Sequence, residues 1–106
     1  MSGGYRVVPT ATFQHDIERL EEPIVQRELA TNTPDDTCLF RFRDAVARAM
    51  EVLAFAPHTC RRSESHQGFR ELIIPFGHGG CIALFMIRDM DVVLLAARDQ
   101  HEHDYR

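Results

Sequence analysis

An arginine, two histidines and a tyrosine close this chain: Arg98, His101, His103 and Tyr105, in a polar tail that leaves an apolar run directly. Guanidinium groups bind carboxylate or phosphate through a planar fork of donors. Histidines exchange protons near neutral pH. Two further sources of guanidinium lie upstream, Arg61-Arg62 in a polar stretch and Arg70 at the start of an apolar run. Together these residues suit the gripping of an anionic partner, or acid–base work on one, provided that the fold brings them to one rim.

Other polar clusters suggest less. His101-Glu-His103 is half of a metal-site spacing with no third ligand nearby in sequence, so a solvated tail is the better reading. His15 and His78 read as exposed helix and turn residues. Gly77-His-Gly-Gly80 reads as a turn rather than a phosphate loop, because no helix follows it. Cys38, Cys60 and Cys81 are odd in number and widely spaced, with no Cys-x-x-Cys pair. They are expected to be reduced, small, buried or half-buried side chains and not zinc ligands. Each arginine also has a plainer role open to it: Arg70 in a cross-strand ion pair, Arg98 bound to the carboxyl terminus or to an acid on the first helix.

The chain has 106 residues, the size of one domain spanning 1–106. Its net charge is −4 and all twelve basic residues are arginine. Residues 37–70 hold six arginines against three acids, whereas the two ends are acidic. Overall acidity argues against non-specific coating of nucleic acid, which scales with the phosphates neutralised. No apolar run approaches the roughly 20 residues of a membrane span. The opening Met-Ser-Gly-Gly lacks a basic and apolar leader, so the expected compartment is the cytoplasm.

The elements that must position the candidate groups follow from periodicity. Tyr5-Arg-Val-Val8 reads as a short strand ending at Pro9. Thr10 or Thr12 is placed to cap a helix carrying Phe13, Ile17 and Leu20 on one face. Pro23 should end or kink that helix near Glu21 or Glu22, with Ile24–Ala30 restarting it. Leu39, Phe42, Val46, Ala49, Met50 and Leu53 form the stripe of a second helix over 37–56, opened by Pro34, Asp35 and Asp36 and stopped by Pro57. His58–Gln67 reads as a loop. Phe69–Phe76, Cys81–Ile87 and Val92–Ala97 then form an antiparallel meander. The resulting fold class is α+β: a two-helix hairpin on one face of a small, mainly antiparallel four-stranded sheet, in the order β-α-α-β-β-β.

That order, with Phe55-Ala-Pro-His-Thr-Cys-Arg-Arg62, Phe69-Arg-Glu-Leu-Ile-Ile-Pro-Phe76 and the stretch Leu94 to Tyr105, resembles the RelE/ParE toxins of bacterial type II toxin–antitoxin systems. The resemblance implies a cytoplasmic, plasmid-stabilisation type of toxin, held inactive by a cognate antitoxin and needing no cofactor. One branch inhibits DNA gyrase by binding; the other is a ribosome-dependent mRNA endoribonuclease that works without metal. In the nuclease branch, Arg70 and Arg98 would contact phosphate, with His101 and Tyr105 completing the catalytic set. Metal-free cleavage needs a base, cationic donors for the phosphate and an acid for the leaving oxygen. Arg61, Arg62, Arg70 and Arg98 would form the antitoxin- or target-binding rim. The outer side of the helix pair is a second candidate for the antitoxin. The lysine-rich loop of the ribosome-docking branch is absent, and Asp99 stands where many relatives have histidine. These departures favour gyrase or another non-ribosomal target over the nuclease branch, with a diverged, non-toxic binding module on the same scaffold as the remaining alternative. No membrane partner and no direct sequence-specific DNA binding are expected.

Overall fold

The backbone of a computed structural model describes residues 4–30, 37–77 and 79–105. Five strands form one sheet: β1 (Arg6–Pro9), β2 (Arg61–Arg62), β3 (Arg70–Phe76), β4 (Gly79–Arg88) and β5 (Asp91–Asp99). Their spatial order is β1-β5-β4-β3-β2. Three of the four pairings are antiparallel, and β1 runs parallel to β5. The expected α+β fold is therefore present, with one strand more than the four anticipated. The extra strand, β2, lies inside the stretch expected to be loop, after a short 3-10 turn at Pro57–Thr59.

Helices α1 (Ala11–Leu29) and α2 (Thr37–Phe55) cover one face of the sheet. Phe13 and Ile24 from α1 and Phe42, Ala49 and Leu53 from α2 meet Ile74, Phe85, Val92 and Leu94 in the core. The α2 stripe read from periodicity is this core-facing stripe. The Pro34-Asp35-Asp36 start assigned to α2 lies outside the described residues. Pro23 does not divide α1, which runs through it unbroken. Pro23 is exposed whereas the next residue, Ile24, is buried. Packing of that stripe and the Arg43–Glu21 ion pair to α2, at 2.9 Å, offset the hydrogen bond that proline cannot make.

Thr10 joins sheet and helix. Its hydroxyl accepts from the Phe13 amide at 3.2 Å, capping α1, and donates to the carbonyl of Leu94 at 2.8 Å. A second donation geometry, 3.3 Å, reaches the Leu95 carbonyl. Here β5 has a β-bulge. Phe85 pairs with Leu94 but Leu84 pairs with Ala96, so Leu95 is the extra residue. Val92 and Leu94 face the helices before the bulge, and Ala97 faces them after it. Unbroken alternation would have sent Ala96 and Arg98 there instead.

The β3–β4 turn depends on two glycines. Gly77 has φ +60°, and a Cβ on Gly80 would run into the Ile74 carbonyl.

Among the described residues, the stretch of β5 beyond β1 has no neighbouring strand on that side, and α1 supplies the missing partners. The carboxylate of Asp16 accepts from the Ala97 amide at 2.9 Å. Arg19, one turn on, donates to the Ala97 carbonyl at 3.3 Å and lies 3.9 Å from Asp16. Asp16 is only 7% exposed, and this use of its charge accounts for its burial. We expect Asp16→Ala to strip a buried amide of its partner and cost about 1–3 kcal/mol in denaturant unfolding. Glu18→Ala, at an exposed position of the same helix, should cost far less; equal losses would refute the edge-capping role.

Candidate functional site on the open face of the sheet

The face of the sheet opposite the helices is also covered. Ile82, Leu84 and Ala96 point to it, yet each is at least nine-tenths buried. The chain after β5 folds back across them. A turn over 99–102 is closed by the Asp99 amide on the Glu102 carboxylate and the His101 amide on the Asp99 carboxylate, both at 2.9 Å. Arg19 on α1 pairs with Glu102 at 3.1 Å. The chain then crosses the open face, and Tyr105 reaches β3.

Glu71 is where these parts meet. Its carboxylate is 6% exposed. It accepts from the Tyr105 hydroxyl at 2.8 Å and from the Arg61 guanidinium at 2.9 and 3.0 Å. The Ser63 hydroxyl is a weaker third donor at 3.4 Å. Arg61 stands opposite Glu71 in the β2–β3 register, so strand pairing itself aligns this ion pair. The Arg98 guanidinium lies 5.3 Å from the centre of the Tyr105 ring, and the His66 ring meets that ring edge-on at 5.4 Å. His66 also approaches Asp104 at 3.6 Å. A cleft of about 450 Å³ opens beside this cluster, lined by Arg61, Arg62, Glu64, Ser65, Glu71, Arg98 and His103.

The candidate residues are thus divided. Arg61, Arg62 and Arg98 line the cleft, and Tyr105 packs against Arg98 and Glu71. Arg70 does not join them. It has the parity of Leu72 and Ile74, which pack with the helices, and it donates to the carbonyls of Cys60 at 2.7 Å and His58 at 3.4 Å. The expected convergence of Arg70 with Arg98 is corrected here: the two side chains leave opposite faces. The physical reason is the bulge at Leu95, which turns Arg98 away from the face that Arg70 occupies. His101 is exposed and its ring lies by Gly79 at the β3–β4 turn; His103 is the histidine on the cleft. The cross-strand ion pair considered for Arg70 belongs to Arg61 instead.

Arg98 itself is heavily engaged. One terminal nitrogen donates to the carbonyls of Asp99, at 3.3 Å, and Glu102. It fastens the tail as well as facing the cleft. Sequence reasoning missed Glu71, Ser63 and His66. The available signal was the Arg61-to-Glu71 spacing across a tight polar connection, which reads as a hairpin ion pair once β2 is recognised.

Other features lie away from this cluster. A depression of about 800 Å³ separates the helices from the β3–β4 turn, with Arg27 and Arg41 among its lining residues. Cys38, near the start of α2, is exposed and not covered as expected, whereas Cys60 is half-buried. Cys81 is buried and its thiol is pushed up to about 11, by burial first and then by Asp99. Cys60 is raised by burial, partly opposed by Arg70. Among the described residues no group of three or more His, Cys, Asp and Glu is arranged to hold a metal ion, and no helix is long and apolar enough to cross a membrane.

The Tyr105 phenol is raised well above its ordinary range, mainly by burial and then by the Glu71 carboxylate, with Arg98 opposing. A phenol so raised holds its proton more tightly when folded. Its contribution to stability is therefore complete below about pH 10, the ordinary phenol value, and is lost as pH climbs through the displaced one. Absorbance titration at alkaline pH should show a late ionisation step that Tyr105→Phe removes. Ionisation of Tyr105 in the ordinary phenol range with the fold intact would contradict the Glu71 contact.

Comparison with known proteins adds the fold-level relation. No protein-family model matches the chain, and no curated protein matches it. Among solved structures it is similar to a copper-bound mutant toxin from Helicobacter pylori, at 16% identity over 94% of this chain and 99% of that one, with a TM-score of 0.52. The chain therefore shares the α+β fold of that protein.

Proposed function

We propose that this chain is the toxin half of a toxin–antitoxin pair and that it acts by gripping a protein target, DNA gyrase in the first instance. The fold shared with a Helicobacter pylori toxin supports the class. One observation favours binding over cleavage: the two arginines assigned to phosphate are separated and occupied. Arg70 is held by carbonyls on the helix face, and Arg98 by carbonyls of its own tail. The cleft instead offers an exposed Arg62, together with Arg61 and His103, as contacts for an acidic surface. Glu71, the carboxylate nearest to a general base, already accepts from Tyr105, Arg61 and Ser63.

A second reading has its own support. Arg98, His103 and Glu71 line one cleft, beside the neutral Tyr105 phenol. A cation, an imidazole and a carboxylate are the groups that metal-free RNA cleavage requires.

Induced expression in cells separates the two. The binding reading expects growth arrest, gyrase-linked DNA breaks and intact messages, and purified chain should inhibit supercoiling by gyrase. Cuts mapped to codon boundaries, lost in Arg98→Ala, would transfer the function to the nuclease reading. Free growth at high expression would remove the toxin reading altogether.

A further inference from the structure

The main-chain groups along the margins of this sheet can be followed one by one. On the β1 side, the amides of Arg6 and Thr10 donate to Met90 and Leu94. Val7 and Pro9 therefore face outward, and Pro9 has no N–H to offer. Further along β5, Asp16 and Arg19 occupy Ala97. On the β3 side, the Ser63 amide donates to the Phe69 carbonyl, and Arg61 pairs with Glu71. By alternation Ile73 and Pro75 face the same way, beyond the end of β2. Pro75 again lacks an N–H. Among the described residues of β3, Ile73 is the one that presents both an amide and a carbonyl on this margin with no strand beside it.

A groove runs next to that position. It is about 360 Å³, lies between β3 and α2, and has Ala45 and Ala49 on its α2 wall. Val52 and Ile73 line it while remaining 46% and 47% exposed, large for aliphatic side chains. Arg41 and Arg48 line it too; Arg48 already pairs with Asp44, and Arg41 has no ion pair among the described residues.

We propose that this groove docks a short extended segment of a protein partner, acidic and carrying one apolar anchor. The segment exchanges both main-chain hydrogen bonds with Ile73, sets its anchor against Val52 and Ala49, and places a carboxylate by Arg41. Arg61 occupies the position before Ile73 and Pro75 closes the position after it, so the pairing is confined to a few residues. The inference rests on the reading of this chain as a toxin held by a protein antitoxin, and it assigns the antitoxin's contact to the β3 margin.

The test uses the full chain, labelled with ¹⁵N, alone and co-expressed with the protein encoded by the adjoining reading frame. Alone, the Ile73 amide should exchange as an open amide, while Leu72 and Ile74, which face β4, are protected. In the complex the Ile73 amide should slow by about tenfold or more. Val52→Glu and Arg41→Glu should each weaken the complex by about tenfold, equivalent to roughly 1.4 kcal/mol. Met90→Glu, at the exposed β4–β5 turn, should leave it unchanged. A complex that forms with Ile73 still open, and that tolerates both groove variants, overturns this inference while the toxin–antitoxin reading stands. Absence of any complex overturns both.

Discussion

One extra residue in β5 decides what each face of this sheet can do. Val92 and Leu94 are buried against the helices, and strict alternation from them would point Arg98 toward the helices as well. Leu95 bulges, Thr10 holds the bulge through the Leu94 and Leu95 carbonyls, and the alternation resets. Ala97 then lies against α1, where Asp16 and Arg19 use its amide and carbonyl. Arg98 emerges on the far side, where it fastens the tail and meets Tyr105. The same bulge separates Arg98 from Arg70. A backbone irregularity, and not the identity of either arginine, thus sets the composition of the cleft.

Glu71 does for the open face what the apolar core does for the helix face. One strand, one loop and the tail each send it a donor, from Arg61, Ser63 and Tyr105. A buried carboxylate is costly unless its lone pairs are filled, and here they are filled by groups far apart in the chain. The apolar surface of Ile82 and Leu84 is thereby covered without a helix. Tail and cleft consequently share parts: Arg98 and Glu71 hold the tail and also line the cavity.

Much of the fold was legible because periodicity reports directly on burial. The α2 stripe from Leu39 to Leu53, the Thr10 cap and the three long strands all follow from side-chain spacing. Whether Pro23 divides α1 was open from the sequence, because its local effect is real; a buried Ile24 beside it outweighs one missing hydrogen bond. β2 escaped notice because two arginines carry no strand signal; their pairing with β3 supplies it. The site was less legible than the fold. Residue types at Arg61, Arg62 and Arg98 suggested an anionic contact; Arg61 and Arg98 do gather with Tyr105 on the open face, while Arg62, opposite Arg70 in the register, reaches the cleft from the sheet's edge. Arg70 was misplaced because a bulge leaves no mark in composition, and Glu71 was missed because its partners come from three separate segments.

Proline at the outward position of both margins carries a consequence for the molecule in bulk. Sheets with bare rims can add copies of themselves indefinitely, each newcomer exposing the rim for the next. Pro9 and Pro75 deny a newcomer one rung of that ladder on either side. Crowding many copies of this chain together therefore offers a newcomer only short, interrupted ladders along these rims.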